Sequence, residues 1–436
     1  MIFNINPYQM KYRLIIYLIP LLGLSQNLMV SEIIHKGNTF TKDYIIKREL
    51  QHPIQVPLDS ALADEDKNRL INLGIFADVK WKAIPLESMT IRLEYEIIEN
   101  DKFFGGRFVG APAPGYDEQT GWSYGMGGAF KNFRGRNEQL AGGFSFGGRE
   151  TFGLFYFNPW ITGDHVSLNT DFAKVDFDHP YLPYRIKNKS FELNIGRYFG
   201  YERKTSIGFE IEDMNLVNDT ISINYQYFAP QGFFIYDTRD IYANPTKGIL
   251  LRQAFISRID LKGELESSYT WFQSFSVYKR LSKIDNPKPW ILAWGIKTQM
   301  SIGLKDINFM AALGESGSVR GWQYPRNANY NDPDQSYRFG FHNLKSSIEL
   351  RKVLIPRFPM MDLYEFGLTA ATFLDWGVTG RNEFEDILRM RPILGAGFSL
   401  QLQAPFVPIL RFDYGWGFYE GKRIDKAFHI AAQHMI

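Results

Sequence analysis

Trp290-Ile291-Leu292-Ala293-Trp294-Gly295-Ile296-Lys297-Thr298-Gln299 changes character at every second residue. Trp290, Leu292, Trp294 and Ile296 fall on one face, and Ala293, Gly295, Lys297 and Gln299 on the other. A period of two is that of an extended strand, because successive side chains point to opposite faces. Three more stretches repeat the pattern. Leu140, Gly142, Phe144 and Phe146 oppose Ala141, Gly143, Ser145 and Gly147; Leu265, Tyr269, Trp271, Phe275 and Val277 oppose Glu266, Ser268, Thr270 and Ser276. Tyr364, Phe366, Leu368, Leu374 and Trp376 oppose Glu365, Gly367, Thr369 and Asp375. Periodicity alone does not say which face is inside. Size does. The region after Phe103 holds about 16 such segments over roughly 330 residues, and a barrel that wide has an interior too large for side chains to fill. The apolar face therefore looks outward to lipid, and a sheet in lipid must close on itself. The predicted fold is mainly β: an antiparallel transmembrane β-barrel of about 16 strands, residues 102–436, behind one small α/β domain.

Composition is consistent with that expectation. Phe, Tyr and Trp make up 16% of the 436 residues and there are 38 glycines, while mean hydropathy is only −0.24. Lipid-out, polar-in alternation produces that mixture. Lys+Arg and Asp+Glu nearly balance (49 against 47), so nucleic acid is not an expected partner. The absence of cysteine excludes disulfides, Cys-zinc sites and Cys nucleophiles. The seven histidines show no metal-ligand spacing, and there is neither a serine nucleophile elbow nor a phosphate loop. No cofactor, metal or catalytic residue is expected, and the chain is not read as an enzyme.

Residues 1–30 read as a secretory signal: Lys11 and Arg13 precede the apolar run Leu14–Leu24, which at about 11 residues is too short to span a bilayer. A short membrane anchor is the alternative. Residues 31–101 read as β-α-α-β-β. Thr41 is placed as N-cap of a helix over Lys42–Leu50, Asp59 or Ser60 begins a second helix, and Gly74 stops it. Strands follow at Phe76–Ala83 and Met89–Ile98. Between residues 305 and 340 the alternation lapses into a long polar loop containing Val319-Arg320-Gly321-Trp322. A loop of that length is functional or disordered.

Three strings stand in order along the barrel: Tyr236-Asp237-Thr238-Arg239-Asp240 with Pro245 and Gly248, then Val319-Arg320-Gly321-Trp322, then Phe373-Leu374-Asp375-Trp376-Gly377. Together they resemble the signature strings of the BamA/TamA-like superfamily of outer-membrane assembly and translocation proteins, whose barrel is also called the bacterial surface antigen type. The 31–101 domain resembles the POTRA modules that precede such barrels in the periplasm. The resemblance implies that the loop folds into the lumen, with Arg320 contacting Asp375 and, by likeness of Ser347–Arg351 to the family's following strand, Glu349. An arginine fork suits that role because it can hold a carboxylate through two hydrogen bonds. Asp237, Arg239 and Asp240 are expected to shape a hairpin with Pro245 and Gly248. Trp322 stands where the family usually has Phe or Tyr, Ile436 where it commonly ends on an aromatic residue, and one POTRA-like module where BamA-type chains carry several.

The first and last strands must meet at a seam. Gly105, Gly106, Gly110 and Pro112 weaken the first, since proline donates no ladder bond. Phe428, Ile430 and Ile436 keep the parity of the last. The implied function is assembly of outer-membrane proteins through a lateral gate at that seam, in the outer membrane of a Gram-negative-type cell. Expected partners are unfolded outer-membrane or secreted clients and the lipid bilayer, with accessory assembly subunits left open. The alternative is a dedicated pore exporting a secreted partner through the lumen. A diffusion porin and an outer-membrane hydrolase are the remaining rivals.

Overall fold

A computed structural model describes residues 28–87, 89–100, 109–112, 115–162, 165–220, 222–326, 328–360, 364–403, 409–432 and 435–436. The expected signal segment up to residue 27, and Gly105 and Gly106 of the expected seam, lie outside the described residues.

The N-terminal domain is built from β1 (Met29–Lys36), α1 (Asp43–Lys47), α2 (Ser60–Asn72), β2 (Phe76–Pro85) and β3 (Thr90–Glu99). Its sheet runs β1-β3-β2, with β1 parallel and β2 antiparallel to the central β3. Ile91, Leu93, Tyr95 and Ile97 of β3 alternate into a core closed by Val30, Ile45, Ile46, Leu70 and Phe76. Asp59 caps α2 by accepting the Ala61 and Leu62 amides, and Gly74 ends it at φ 71°. Thr41 does not cap α1. The cap position is Lys42, which makes no side-chain cap bond, and the helix is shorter than 42–50. The reason is Glu99, whose carboxylate takes the Thr39, Phe40 and Thr41 amides at 2.9, 3.0 and 2.8 Å. That bends the chain before the helix and leaves the Thr41 hydroxyl to accept from Asn132 of the barrel, 2.8 Å.

The barrel strands are β4 (Val109–Pro112), β5 (Gly115–Asp117), β6 (Gly121–Phe133), β7 (Glu138–Gly147), β8 (Arg149–Thr162), β9 (Val166–Asp178), β10 (Arg185–Phe199) and β11 (Arg203–Val217). They continue with β12 (Ser222–Asp237), β13 (Gly248–Asp260), β14 (Ser268–Arg280) and β15 (Trp290–Gly303). Within the following loop lie the two-residue strands β16 (Ala311–Ala312) and β17 (Phe339–Gly340). The wall resumes with β18 (His342–Met360), β19 (Tyr364–Gly380), β20 (Ile393–Gln403), β21 (Leu410–Tyr419) and β22 (Lys422–Ala431). Neighbours pair antiparallel in chain order and the ring closes β22 on β4. Because β4 and β5 both pair with β6, they count as one wall position, and the barrel has sixteen.

Which face is out is now visible. Trp294, Ile348, Leu374, Phe398 and Phe428 are 38–60% exposed, whereas Ala293, Glu349, Asp375 and Gln401 on the opposite parity are 0–1% exposed. The large apolar side chains form the outer surface that lipid covers, and the polar ones line the lumen.

The small domain sits across one mouth of the barrel. Asn72 donates to the Asp240 carbonyl (3.1 Å) and accepts from the Tyr242 amide (2.9 Å). Tyr201 donates to the Arg48 carbonyl at 2.6 Å, Arg357 donates to the Ala77 carbonyl at 3.0 Å, and Arg48 lies over the Trp160 ring at 4.3 Å. The predicted hairpin string forms that docking surface. Asp237 holds Arg239 through both carboxylate oxygens (2.8 and 2.7 Å), and Asp240 accepts the Ile241 and Thr246 amides at 2.9 Å. Pro245 is buried in the turn, and Gly248 begins β13 at φ 107°, where a Cβ would lie 2.3 Å from the Thr238 carbonyl oxygen.

Candidate functional site

The loop between β15 and β18 enters the lumen from the other mouth. Its stem is pinned where β16 pairs with β17 and where the Thr379 hydroxyl donates to the Tyr337 carbonyl, 3.0 Å. Tyr337 stacks on Tyr419 with ring centroids 4.0 Å apart. Beyond the stem the chain descends to Val319-Arg320-Gly321-Trp322, all four buried.

Arg320 is fully enclosed. Its Nε and Nη2 donate to the two oxygens of Asp375 on β19 (2.8 Å each), its Nη1 to Glu349 on β18 (2.6 Å), and its Nη2 also to Ser347 (3.0 Å). The Arg320 backbone amide adds a third bond to Asp375, 3.0 Å. The guanidinium lies 3.8 Å above the Phe373 ring, a cation–π contact strengthened by exclusion of water. Glu349 also binds Arg351 (2.6 Å) and Gln401 (3.3 Å), and Asp413 of β21 holds Arg411 (2.6 Å) while standing 3.6 Å from Arg320. Three arginines face three carboxylates, all wholly buried. Balanced charge is what makes their burial tolerable, because each unpaired ion would cost several kcal/mol.

The wall beneath the tip is made of glycine. A Cβ on Gly395 would fall 1.8 Å from the Arg320 carbonyl oxygen, one on Gly377 2.7 Å from Val319, and one on Gly417 2.7 Å from the Trp322 indole. Gly397 and Gly415 leave the same kind of room for Phe373. Gly321 has φ 87° and its own Cβ would strike the Trp416 backbone at 2.7 Å, so no other residue fits there without displacement. Trp322 fills the recess and donates its indole N–H to the Leu394 carbonyl, 2.7 Å.

The tip also straddles the closure of the ring. The Gly321 amide donates to His429 (3.1 Å) and the Gln323 amide to Asp425 (2.9 Å), both on β22. On the other side the Ser316 amide donates to Glu118 (3.3 Å) and Arg326 to the Asp117 carbonyl (2.8 Å), at the end of β5. His429 and Glu118 meet each other at 2.7 Å across the closure.

A model of the Omp85 superfamily domain matches residues 132–432, more than two thirds of the sequence. The chain belongs to the Omp85 superfamily. It is an outer-membrane β-barrel of the BamA/TamA-like kind, of a Gram-negative-type cell. The outer membrane protein assembly factor BamA of Neisseria meningitidis serogroup B is 27% identical over 154 residues, 35% of this chain but only 19% of that relative's length. Among solved structures, BamA from Haemophilus ducreyi lacking POTRA domains 1–3 superposes with TM-score 0.54 at 20% identity, covering 93% of this chain and 84% of that one. CdiB from Acinetobacter baumannii superposes with TM-score 0.51 at 14% identity, covering 92% and 73%. CdiB from Escherichia coli gives 0.51 at 12%, covering 94% and 90%.

Of the Omp85 site residues named from sequence, the structure gathers Val319, Arg320, Gly321, Trp322, Glu349, Phe373, Asp375 and Gly377 into one cluster. Asp237, Arg239, Asp240, Pro245 and Gly248 lie at the opposite mouth. Gly110 and Pro112 are in β4, and Phe428 and Ile430 face outward from β22. Ile436 needs correction. The wall strand ends at Ala431, and Ile436 lies inside the lumen against Gly295 of β15, with its carbonyl accepting from the Tyr278 hydroxyl at 2.8 Å. Alternation counted to the end of the chain assumes the strand continues, which it does not. Sequence reasoning also missed Ser347, Arg351, Gln401, Arg411, Asp413, Glu118 and His429. Lumen parity was available for the pairs Glu349-x-Arg351 and Arg411-x-Asp413, whose members two apart share a face.

Proposed function

We propose that this Omp85 protein is an outer-membrane assembly factor that inserts client β-barrels through a lateral gate between β22 and β4. The carrying observation is the loop tip bonded to both sides of that closure, at His429 and Asp425 on β22 and at Asp117 and Glu118 at the end of β5. Such a tip couples the state of the lumen to the state of the seam. The seam itself is the weak junction of the ring, since Pro112 on β4 has no N–H to donate. Once parted, an exposed strand edge templates an incoming strand by main-chain hydrogen bonding. The 31–101 domain is in this reading a POTRA-like periplasmic module that receives unfolded clients and hands them to the seam. Accessory assembly subunits fit the same account. The protein moves chains between environments and performs no covalent chemistry.

The second reading is export of a dedicated partner through the lumen, favoured by a cavity of about 640 Å³ between the small domain and the barrel wall. Depleting the protein and comparing outer-membrane proteomes separates the two. Broad loss of β-barrels is the expected result; loss of one secreted protein with the barrels intact overturns the assembly reading.

A further inference from the structure

Beside the Arg320 cluster, the lumen wall carries a second group of charges with no carboxylate at ion-pair distance among the described residues. Arg252 of β13 is directly opposite Ser274 of β14, Ser274 opposite Lys297 of β15, and Lys297 opposite Lys345 of β18. All four point into the lumen, because Phe255, Tyr269, Trp294 and Ile348 on the other parity are exposed on the outer surface. Directly opposed side chains on a sheet lie about 5 Å apart, and like charges so placed repel. Among the described residues no carboxylate comes within 4 Å of Arg252, Lys297 or Lys345. The nearest carboxylates of the Arg320 cluster are taken, Asp375 by Arg320, Glu349 by Arg320 and Arg351, and Asp413 by Arg411, which leaves Glu315 of the loop facing Lys345 and Asp237 facing Arg252 only from beyond ion-pair distance.

The lumen does hold other acids, on another part of the wall. Asp171 of β9 is opposite Glu192 of β10, and Glu192 opposite Glu210 of β11. Interleaving the two rows would neutralise both. They are kept on separate strands instead. Ionisable residues at membrane depth are costly, and an unneutralised set marks a functional site.

The basic row lines a cavity of about 400 Å³, together with Gln299 and Asn343. That volume is in the range of small-ligand sites. The cavity shares Ile235, Arg252, Ser274 and Lys297 with the 640 Å³ cavity beneath the small domain. There the walls add Lys131, Arg203 and Lys204, while Asp237 is occupied by Arg239. Glu202 is the other acid of that lining, and against it and Asp237 stand Lys131, Arg203, Lys204, Arg239, Arg252 and Lys297, so the way in from that mouth is net basic and low-dielectric walls focus its field on incoming anions.

We propose that Arg252, Lys297 and Lys345, with the Ser274 hydroxyl, form a lumenal binding site for a soluble multivalent oxyanion of the phosphate class, entering from beneath the small domain. Three cations spread over four adjacent strands suit a ligand with several anionic oxygens better than a single carboxylate. Opening toward the barrel mouth rather than the outer surface selects a soluble ligand over a lipid headgroup. The site is independent of whether the barrel inserts or exports clients.

The test is calorimetric titration of the full chain, purified in detergent at low ionic strength, with pyrophosphate. Heat-modifiable gel mobility verifies that each variant is folded. One saturable site is expected, weakened by about tenfold or more in the double variant Lys297→Gln/Lys345→Gln. Arg423→Gln, at the exposed start of β22, should leave it unchanged. Acetate at matched ionic strength should not compete. No saturable binding by the folded wild type, equal binding by the double variant, or full competition by acetate would each overturn the assignment.

Discussion

Arg320 is the residue on which the lumen is organised, and its worth lies in what would be stranded without it. Arg320→Ala removes one cation from a set of three and leaves Asp375 and Glu349 buried with excess negative charge. Breaking a buried pair from one side costs about 3–5 kcal/mol. The expected outcome is a loop that leaves its seat, read as new protease cleavage between Gly314 and Gln323 in the folded barrel. Arg320→Lys keeps the charge but cannot bond both Asp375 oxygens and Glu349 in one plane, so it should fall between the wild type and Ala. An Ala variant as protease-resistant as the wild type would show that the tip is held by packing alone. At this scale the sequence was partly legible. Arg320, Glu349 and Asp375 stood out because their strings resemble a family pattern. His429 and Glu118 did not, because they are 311 positions apart and nothing local in either strand signals a partner so distant.

Among the elements, the strands were the most legible part of the chain, since a two-residue period survives any ambiguity about which way a barrel faces. What the period left out was relief. Gly377 stood only at the end of a family-like string and Gly395 and Gly417 carried no signal of their own, yet together they are the floor on which the loop tip rests. Gly417→Ala places a methyl group 2.7 Å from the Trp322 indole. Overpacking of that kind costs about 1–3 kcal/mol, and the expected outcome is a lower temperature for the gel-mobility transition of the folded barrel. An unchanged temperature would mean the indole has slack the geometry does not show. In the small domain, the bend before α1 depends on Glu99. Burial raises the pKa of its carboxyl, but the bonds from Thr41, Thr39 and Phe40 outweigh burial and hold it below the ordinary value of 4.5. The sign follows from linkage: with the folded pKa depressed, the stabilisation is complete above about pH 4.5 and is lost as pH falls through the folded value. Hydrogen exchange of the Thr39–Thr41 amides in the full chain should therefore accelerate selectively in acid, relative to amides of β3. Glu99→Gln should remove that pH dependence. The sequence placed Thr41 as the helix cap because it saw the local pattern and not a carboxylate 58 residues away.

For the whole molecule, the small domain is docked across one mouth of the barrel, the loop tip is anchored in the lumen, and β22 and β4 meet at a seam the same tip bridges. Strand number and antiparallel order could be read from the chain, because they rest on alternation; its local failure marked a long loop, and that the loop enters the lumen came from the resemblance of its string to a family pattern. The docking of the small domain could not be read, since it depends on the helix-end residue Asn72 and the turn residues Tyr201 and Tyr242, whose contacts are specified only once the barrel exists. The same holds for Ile436, which leaves the wall and crosses to β15. In the proposed assembly role, the seam must part for clients to enter the membrane. The natural chain has no cysteine, so a pair introduced as Val109→Cys and Ala431→Cys would be the only thiols present. The decisive measurement is client β-barrel accumulation in cells that depend on this variant, with the crosslinked fraction scored by gel mobility. Accumulation should stop when the pair is oxidised and resume when it is reduced. Undiminished accumulation from a fully crosslinked seam would contradict the account.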